Sequence, residues 1–429
     1  MMKHVVIAAA AVLAAVPASA QVSLNSRALG MGGAYIGVAR GQESLHLNPA
    51  NLGLPNSPHW SAAIPQLAFG VQTIGVEPGD LWDLREYGEM EPAERDAFLA
   101  KIPASGTGGE IDVRAPIFSL QVGRFAVGAG YALVGEHTVN RSIVDLVLTG
   151  FEQSKLAQYN IDNTDGFRAA FFDIHAAYGR RIGPLALGAT GHYYIPREMV
   201  RSAFVQQDVV TNTAGIPTDI EVTYQGVRAE GGSGFGVDVG AAMQPIPGLT
   251  LGVALDNAFN SLEWNEDLRL NTVTLNREDY ESGDAETILS RYDESEQDYA
   301  DAGADPQTRA LAQQILEERG QGLPMTLRVG GAFALPTSTT VGVQYQSQLE
   351  DSPISGMWEN QVSVGVQQKL PIITLRAGLA TDMADANMLT GGLTLGPIQL
   401  GVARLTGAGE RNGWVYTFAL SGRSDTTMP

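Results

Sequence analysis

Residues 234–256 read GFGVDVGAAMQPIPGLTLGVALD. Phe235, Val237, Val239 and Ala241 alternate with Gly234, Gly236, Asp238 and Gly240. After a tight turn at Gln244–Gly248, Leu249, Leu251, Val253 and Leu255 alternate with Thr250, Gly252, Ala254 and Asp256. A period of two marks an extended strand with two unlike faces. Here one face is bulky and apolar, and the other is small or polar. The same pattern recurs in Val341, Val343 and Tyr345 against Gly342, Gln344 and Gln346. It recurs again in Trp414, Tyr416, Phe418 and Leu420 against Val415, Thr417 and Ala419. In a soluble sandwich the apolar face packs inward, and the other face carries more Lys, Glu and Thr than this one does. In a membrane barrel the bulky face meets lipid, while Gly, Ala, Gln and Asp line the interior. Alternation alone fits both.

The connections decide between them. Strands are expected at about 60–74, 110–122, 125–138, 168–179, 185–198, 233–243, 249–262, 323–335, 339–348, 358–368, 372–380, 387–395, 398–405 and 413–422, which makes fourteen. Every join after an even-numbered strand is tight: Gly123-Arg124, Arg180–Pro184, Gln244–Gly248, Pro336–Ser338, Lys369–Pro371 and Gly396-Pro397. Four joins after odd-numbered strands are long: Gly75–Gly109, Asn140–Phe167, Val200–Gly232 and Glu263–Gly322. An up-and-down barrel with short turns at one rim and loops at the other has this asymmetry. A two-sheet soluble fold gives no reason for it. The fold class expected is therefore all-β: a transmembrane, antiparallel, up-and-down barrel over residues 59–423, with short helices in its extracellular loops.

Composition agrees. The chain has 429 residues, is 44% hydrophobic, has a mean hydropathy of -0.03 and carries a formal charge of -20. Beyond the N-terminus no run of ~18 apolar residues offers a membrane helix. With 27 Lys+Arg against 47 Asp+Glu, a nucleic-acid partner is not expected, and the absence of Cys excludes disulfides and thiolate chemistry. Residues 1–20 read as a signal peptide: Lys3 and His4, an apolar stretch from Val5 to Val16, then Ala18-Ser19-Ala20 as a cleavage exit before Gln21. Export to the bacterial outer membrane follows, with lipid, lipopolysaccharide and the barrel-assembly machinery as expected partners. The oligomeric state is left open.

Residues 21–58 show no sustained period and are rich in Gly and Asn. A wide lumen needs filling, so this segment is expected to be a hatch, with a disordered tail as the alternative. Ser26-Arg27-Ala28-Leu29-Gly30-Met31-Gly32-Gly33-Ala34-Tyr35, followed by Leu47-Asn48-Pro49-Ala50-Asn51-Leu52, resembles the opening of the long-chain fatty-acid transporter superfamily of outer-membrane barrels. Relatives in that group include the shuttle-type barrels of type IX secretion. A closer similarity is to an uncharacterised branch in which a helical stretch ending in an Ile-Pro-x-x-Gly-like element follows the first strand. Leu81–Gly106, with Ile102-Pro103-Ala104-Ser105-Gly106, looks alike. The resemblance implies a fourteen-stranded barrel with a hatch, through which lipophilic substrates pass from a surface groove to a lateral or periplasmic exit. In physical terms, Gly30, Gly32 and Gly33 allow positive φ and close backbone approach, and Asn48-Pro49 before Ala50 starts a turn.

Candidate contacts for a hydrophobic ligand are Met31, Tyr35 and Leu47 in the hatch, with Leu81, Trp82 and Phe98 lining a surface groove. A lumen network is expected in which Asp173, Asp238 and Asp256 pair with Arg328 and Arg376, joined by His175. Asp173 and His175 would also suit a Ser hydrolase, but Gly-x-Ser-x-Gly and the other catalytic motifs are missing, so no enzyme is expected. Nor is a cofactor or metal site. Glu263–Arg319 holds 16 acidic residues against five Arg and reads as a long, solvated extracellular loop; divalent bridging to lipopolysaccharide is its alternative role. The last strand ends near Leu420, before a polar tail at 424–429, with Tyr416 and Phe418 as its aromatic signal. The function expected is passive uptake of a hydrophobic, fatty-acid-like molecule. The rival is a non-transporting barrel that docks or shuttles secreted proteins or scaffolds the envelope.

Overall fold

The computed structural model describes residues 25–76, 91–104, 106–149, 152–161, 164–282, 285–298, 313, 322–350, 352, 354, 358, 360–384, 386–407 and 411–424. The proposed signal peptide, Leu81, Trp82, most of 299–321 and the tail beyond Ser424 lie outside the described residues.

The strands in chain order are β1 (Trp60–Ile74), β2 (Thr107–Val122), β3 (Phe125–Val139), β4 (Asp165–Ile182), β5 (Leu185–Thr211), β6 (Pro217–Glu230), β7 (Gly232–Ile246), β8 (Leu249–Asn260) and β9 (Glu263–Trp264). They continue as β10 (Arg269–Leu275), β11 (Gln297–Asp298), β12 (Thr326–Ala334), β13 (Thr339–Gln348), β14 (Asn360–Lys369), β15 (Ile373–Thr381), β16 (Asn387–Leu395), β17 (Ile398–Thr406) and β18 (Arg411–Arg423). Fourteen of them close a barrel. β1 to β5 pair in succession, β5 pairs with β7, β7 with β8, β8 with β12, β12 to β18 pair in succession, and β18 returns to β1. Every pairing is antiparallel, and closure of β18 onto β1 removes the two end strands that an open sheet would have. The joins at one rim are the short turns expected from the sequence, as between Val122 and Phe125 or between Leu395 and Ile398.

Burial settles which face looks where. Leu251, Val253 and Val343 stand 39–50% exposed on the outside, whereas Thr250 and Gln344 point inward at 4%. A wall that is apolar outside and polar inside is the inverse of a water-soluble barrel, and it matches strands that cross lipid. No described helix is long and apolar enough to span a membrane.

At the opposite rim the chain does something the strand expectations missed. Val200–Gly232 is not an irregular loop. β5 leaves β7 at Tyr194 and continues to Thr211, turns at 212–216, and returns as β6, which also pairs with β10. Ile220 and Val222, both at most 1% exposed, are the inward residues of that hairpin. They pack with Phe98 and Leu99 of the helix Pro92–Lys101, with Ile102 just beyond it, and with Ile143 and Leu146 of the helix Arg141–Thr149. Among its described residues the acidic insert likewise contains β9, β10, β11 and the helices Arg277–Ser282 and Ala285–Glu294. The loops therefore form a layer with its own apolar core.

Candidate functional site: the hatch, its seat and the lumen cluster

Residues 25–58 fold inside the barrel as short turns. A first helix (Ser26–Gly30) is capped by the Asn25 side chain, which accepts from Arg27 N at 2.8 Å. A second (Ser44–Leu47) leads through Asn48 into a 3-10 turn at Pro49–Gly53, and Asn48 Oδ1 caps that turn by accepting from Ala50 N at 3.0 Å. Pro at the first position suits such a start, because its missing N–H has no partner there anyway. Ala28, Met31, Ile36, Leu45 and Leu52 are wholly buried.

The seat of this hatch is made of wall glycines. A Cβ on Gly378 or Gly365 would overlap the main chain of Met31. One on Gly342 would meet the Ala34 carbonyl, one on Gly188 or Gly179 the backbone of Pro49, and one on Gly240 the Asn48 side chain. Gly392 lies against Gly30 in the same way. In register, Gly342 faces Gly365 and Gly365 faces Gly378, while Gly179 faces Gly188 and Gly188 faces Gly240. The polar face of the alternation is thus glycine where the hatch backbone touches it. Polar side chains, two from the wall and one from the hatch, then hold the hatch around its perimeter. Gln344 Oε1 accepts from Ile36 N at 3.0 Å, Gln361 Nε2 donates to Gly32 O at 3.2 Å, and Asn48 Nδ2 donates to the carbonyls of Ala241 and Val253 at 3.1 and 3.2 Å. Gly32 (φ 66) and Gly33 (φ 90) do take positive φ.

Inside the hatch, Arg27 Nη1 lies 2.8 Å from Glu43 Oε1, and Tyr35 donates to Glu43 Oε2 at 3.1 Å. Burial pushes the Glu43 carboxyl up, but Arg27, with Arg423 and Arg376 behind it, outweighs this and holds it below its ordinary value. Burial and the neighbouring Glu43 raise Tyr35.

On the other side of the hatch the lumen cluster assembles from adjacent strands. His175 of β4 faces His192 of β5 in register. Asp173 accepts from both rings, at 2.8 Å from His175 Nδ1 and 3.0 Å from His192 Nδ1, and His192 Nε2 lies 2.9 Å from Asp238. With a carboxylate at each nitrogen, the His192 ring is placed to donate from both. Asp238 also accepts from the Asn257 N–H at 2.7 Å. Asn257 sits at positive φ (51°) where β8 bulges and its register to β7 shifts. Asp256 pairs with Arg328, which donates from Nη1 to His46 O at 3.4 Å. His46 meets His175 edge-on at 4.7 Å between centroids. Burial, reinforced by His175, pushes the His46 pKa down to about 3.

The expected network therefore divides. Asp173, His175 and Asp238 meet through His192, and Asp256 takes Arg328. Arg376 stands elsewhere, donating to Gln367 and Thr394 near the short-turn rim. Among the described residues no hydroxyl hydrogen-bonds to His175 or His192. Asp173, His175 and His192 hold their ligand atoms within 4.8 Å of one another, spacing that a metal ion would also accept. Of the candidate ligand contacts, Met31 and Leu47 pack in the hatch core, Tyr35 reaches a cavity at the short-turn rim, and Phe98 is buried in the loop layer.

One further feature lies in the wall. Between Ala63↔Ser119 and Ala68↔Arg114, no ladder pair joins β1 to β2 among the described residues. Pro65 and Pro116 fall in that interval and lack the N–H a ladder needs. Ile64, Leu67 and Ile117 around it are 47–60% exposed on the outer surface. The hatch is adjacent, since Gln42 N donates to Ser61 Oγ at 2.7 Å. Neither the prolines, His46 nor Gln344 carries a local signal of these roles, because each acquires its role only from long-range packing.

The model of a family described as "Family of unknown function (DUF5723)" matches residues 192–403. No curated protein matches the sequence. Among solved structures, the toluene transporter TbuX of Ralstonia pickettii superposes over 93% of this chain and 98% of its own, with a TM-score of 0.51 and 14% identity. The P. putida toluene transporter TodX covers 94% and 99%, with a TM-score of 0.53 and 12% identity. The CymD monoaromatic hydrocarbon channel covers 94% and 98%, with a TM-score of 0.50 and 13% identity. What this chain shares with these channels is a fold: a closed, fourteen-stranded, antiparallel barrel.

Proposed function

We propose that this protein is an outer-membrane channel for passive uptake of hydrophobic small molecules, which enter from the loop side and leave sideways through the wall. The observation that carries this reading is the interrupted β1–β2 ladder beside a firmly seated hatch. A hatch tied to the wall on several sides disfavours a straight path, while an unpaired, apolar stretch of wall gives a lipophilic solute a short way into lipid. A hydrophobic solute gains about 25 cal/mol per Å² on leaving water for lipid, so it needs no driving force beyond its own partition. The similarity in fold to toluene and monoaromatic hydrocarbon channels supports the class of cargo. The bacterial outer membrane as location, export by residues 1–20 and a plug over residues 21–58 belong to the same proposal, as does the absence of enzymatic activity.

The test is uptake of labelled toluene and of labelled oleate by cells with and without the gene. A Pro65→Thr/Pro116→Thr variant, which restores a backbone N–H at both positions, accompanies it. Slower uptake in the deletion strain, not rescued by the double variant although its barrel still shifts on unheated gels, is the expected result. Equal uptake in all three strains would overturn the proposal, and co-purification with a secreted protein in that case would favour a docking barrel.

A further inference from the structure

A cavity of about 1020 Å³ opens at the short-turn rim, bounded by the hatch above and by the turns at Pro247, Leu370 and Pro397. Arg27, Arg40, Lys369, Arg376 and Arg423 line it, and none of its lining residues is an acid. In a chain with a net charge of -20 this is a reversal of sign. Arg27, Lys369, Arg376 and Arg423 are close enough to repel one another. Glu43 forms an ion pair with Arg27, and its field also reaches Arg40, Arg376 and Arg423, one negative charge against five positive ones. Among the described residues no carboxylate pairs with Arg40, Lys369, Arg376 or Arg423. Arg40 donates to the carbonyls of Gly37 and Ala39 and to Thr250 Oγ1. Arg376, only 8% exposed, gives Nε to Gln367 and Nη1 to Thr394, which orients its guanidinium, and Nη2 has no hydrogen-bond partner among the described residues.

A buried, oriented guanidinium surrounded by like charges is unfavourable unless an anion completes it. We propose that this vestibule binds a phosphate-bearing anion from the short-turn side, the periplasmic side of an outer-membrane barrel. A monovalent carboxylate would leave most of the positive charge unanswered. A phosphate offers more than one negative charge and three acceptor oxygens, and it matches the guanidinium fork. The phosphate arrives either free in solution or on the headgroup of a lipid from the adjoining leaflet.

The test is calorimetric titration of detergent-purified full-length protein with inorganic pyrophosphate, dihexanoyl phosphatidic acid and acetate. Binding of pyrophosphate as tight as that of phosphatidic acid assigns free phosphate, and tighter binding of the lipid assigns the headgroup. In both cases Arg376→Gln and Arg423→Gln should each weaken binding about tenfold. Arg181→Gln, which removes a rim charge outside the cavity, should leave it unchanged. Arg423 is exposed at the end of β18, so its variant does not disturb packing, and gel heat-modifiability checks each fold. Phosphate probes that bind an Arg376→Gln/Arg423→Gln double variant as well as the natural chain, or acetate binding as tight as pyrophosphate, would overturn the assignment. The outcome is independent of whether hydrocarbons are carried.

Discussion

The glycine seat predicts that one added methyl group should loosen the hatch without harming the barrel. Gly378 is the sharpest position, because the atoms nearest a Cβ there are main-chain atoms of Met31 and Gly32, which cannot rotate away as a side chain can. To restore ordinary van der Waals separation the hatch must retreat by roughly 1 Å, and overpacking of this kind costs about 1–3 kcal/mol. That energy is spent against hatch seating, since the β15 ladder to β14 and β16 keeps its hydrogen bonds. At 1.4 kcal/mol per factor of ten, the open population of Gly378→Ala should rise between about fivefold and a hundredfold. Single-channel recording in planar bilayers reads this as more frequent conducting events. Gly191→Ala is the matched control: it sits in β5 at an ordinary φ with nothing within 4 Å of the new Cβ. If Gly378→Ala is folded yet opens no more often than Gly191→Ala, the hatch is not held by close backbone approach and the reasoning fails.

Two further outcomes follow from the same packing. Asn48→Ala removes a 3-10 cap and two hydrogen bonds to wall carbonyls, so it should lower thermal stability in detergent by about 1–3 kcal/mol; a melting curve matching that of the natural chain would contradict this. His46 supplies a pH dependence with a definite sign. Its folded pKa of about 3 lies below the ordinary 6.5, so the unfolded chain binds the extra proton, and this contribution is complete above pH 6.5 and is lost as pH falls towards 3. Melting temperature against pH should therefore slope less steeply in that window for His46→Gln, and parallel slopes would remove His46 from the account.

Much of the fold was legible because its determinants are local. Alternation in Gly234–Met243 and Leu249–Asp256 fixes strand faces within a few residues, and the six short turns fix which ends meet at one rim. The hairpin of β5 and β6 was missed for a physical reason: beyond the lipid, strands no longer need a bulky outer face. Polar residues therefore stand on its outside and blur the period that marked the wall. The site was legible only in parts. Asp173 and His175 sit two apart on one strand and so share a face by local geometry, but nothing local shows that His192 and Asp238 complete the cluster.

The sequence by itself determined a closed barrel, its strand number, the rim that carries the loops, and a glycine-rich segment before the first strand. Only the tertiary structure decided where that segment rests. It set Gly378 under Met31, Asn48 against β7 and β8, and Arg27 beside Lys369, Arg376 and Arg423. Strand period and turn length are properties of neighbouring residues. The register of a hatch inside a barrel, by contrast, is set by contacts between residues up to about three hundred positions apart, such as Ile36 with Gln344.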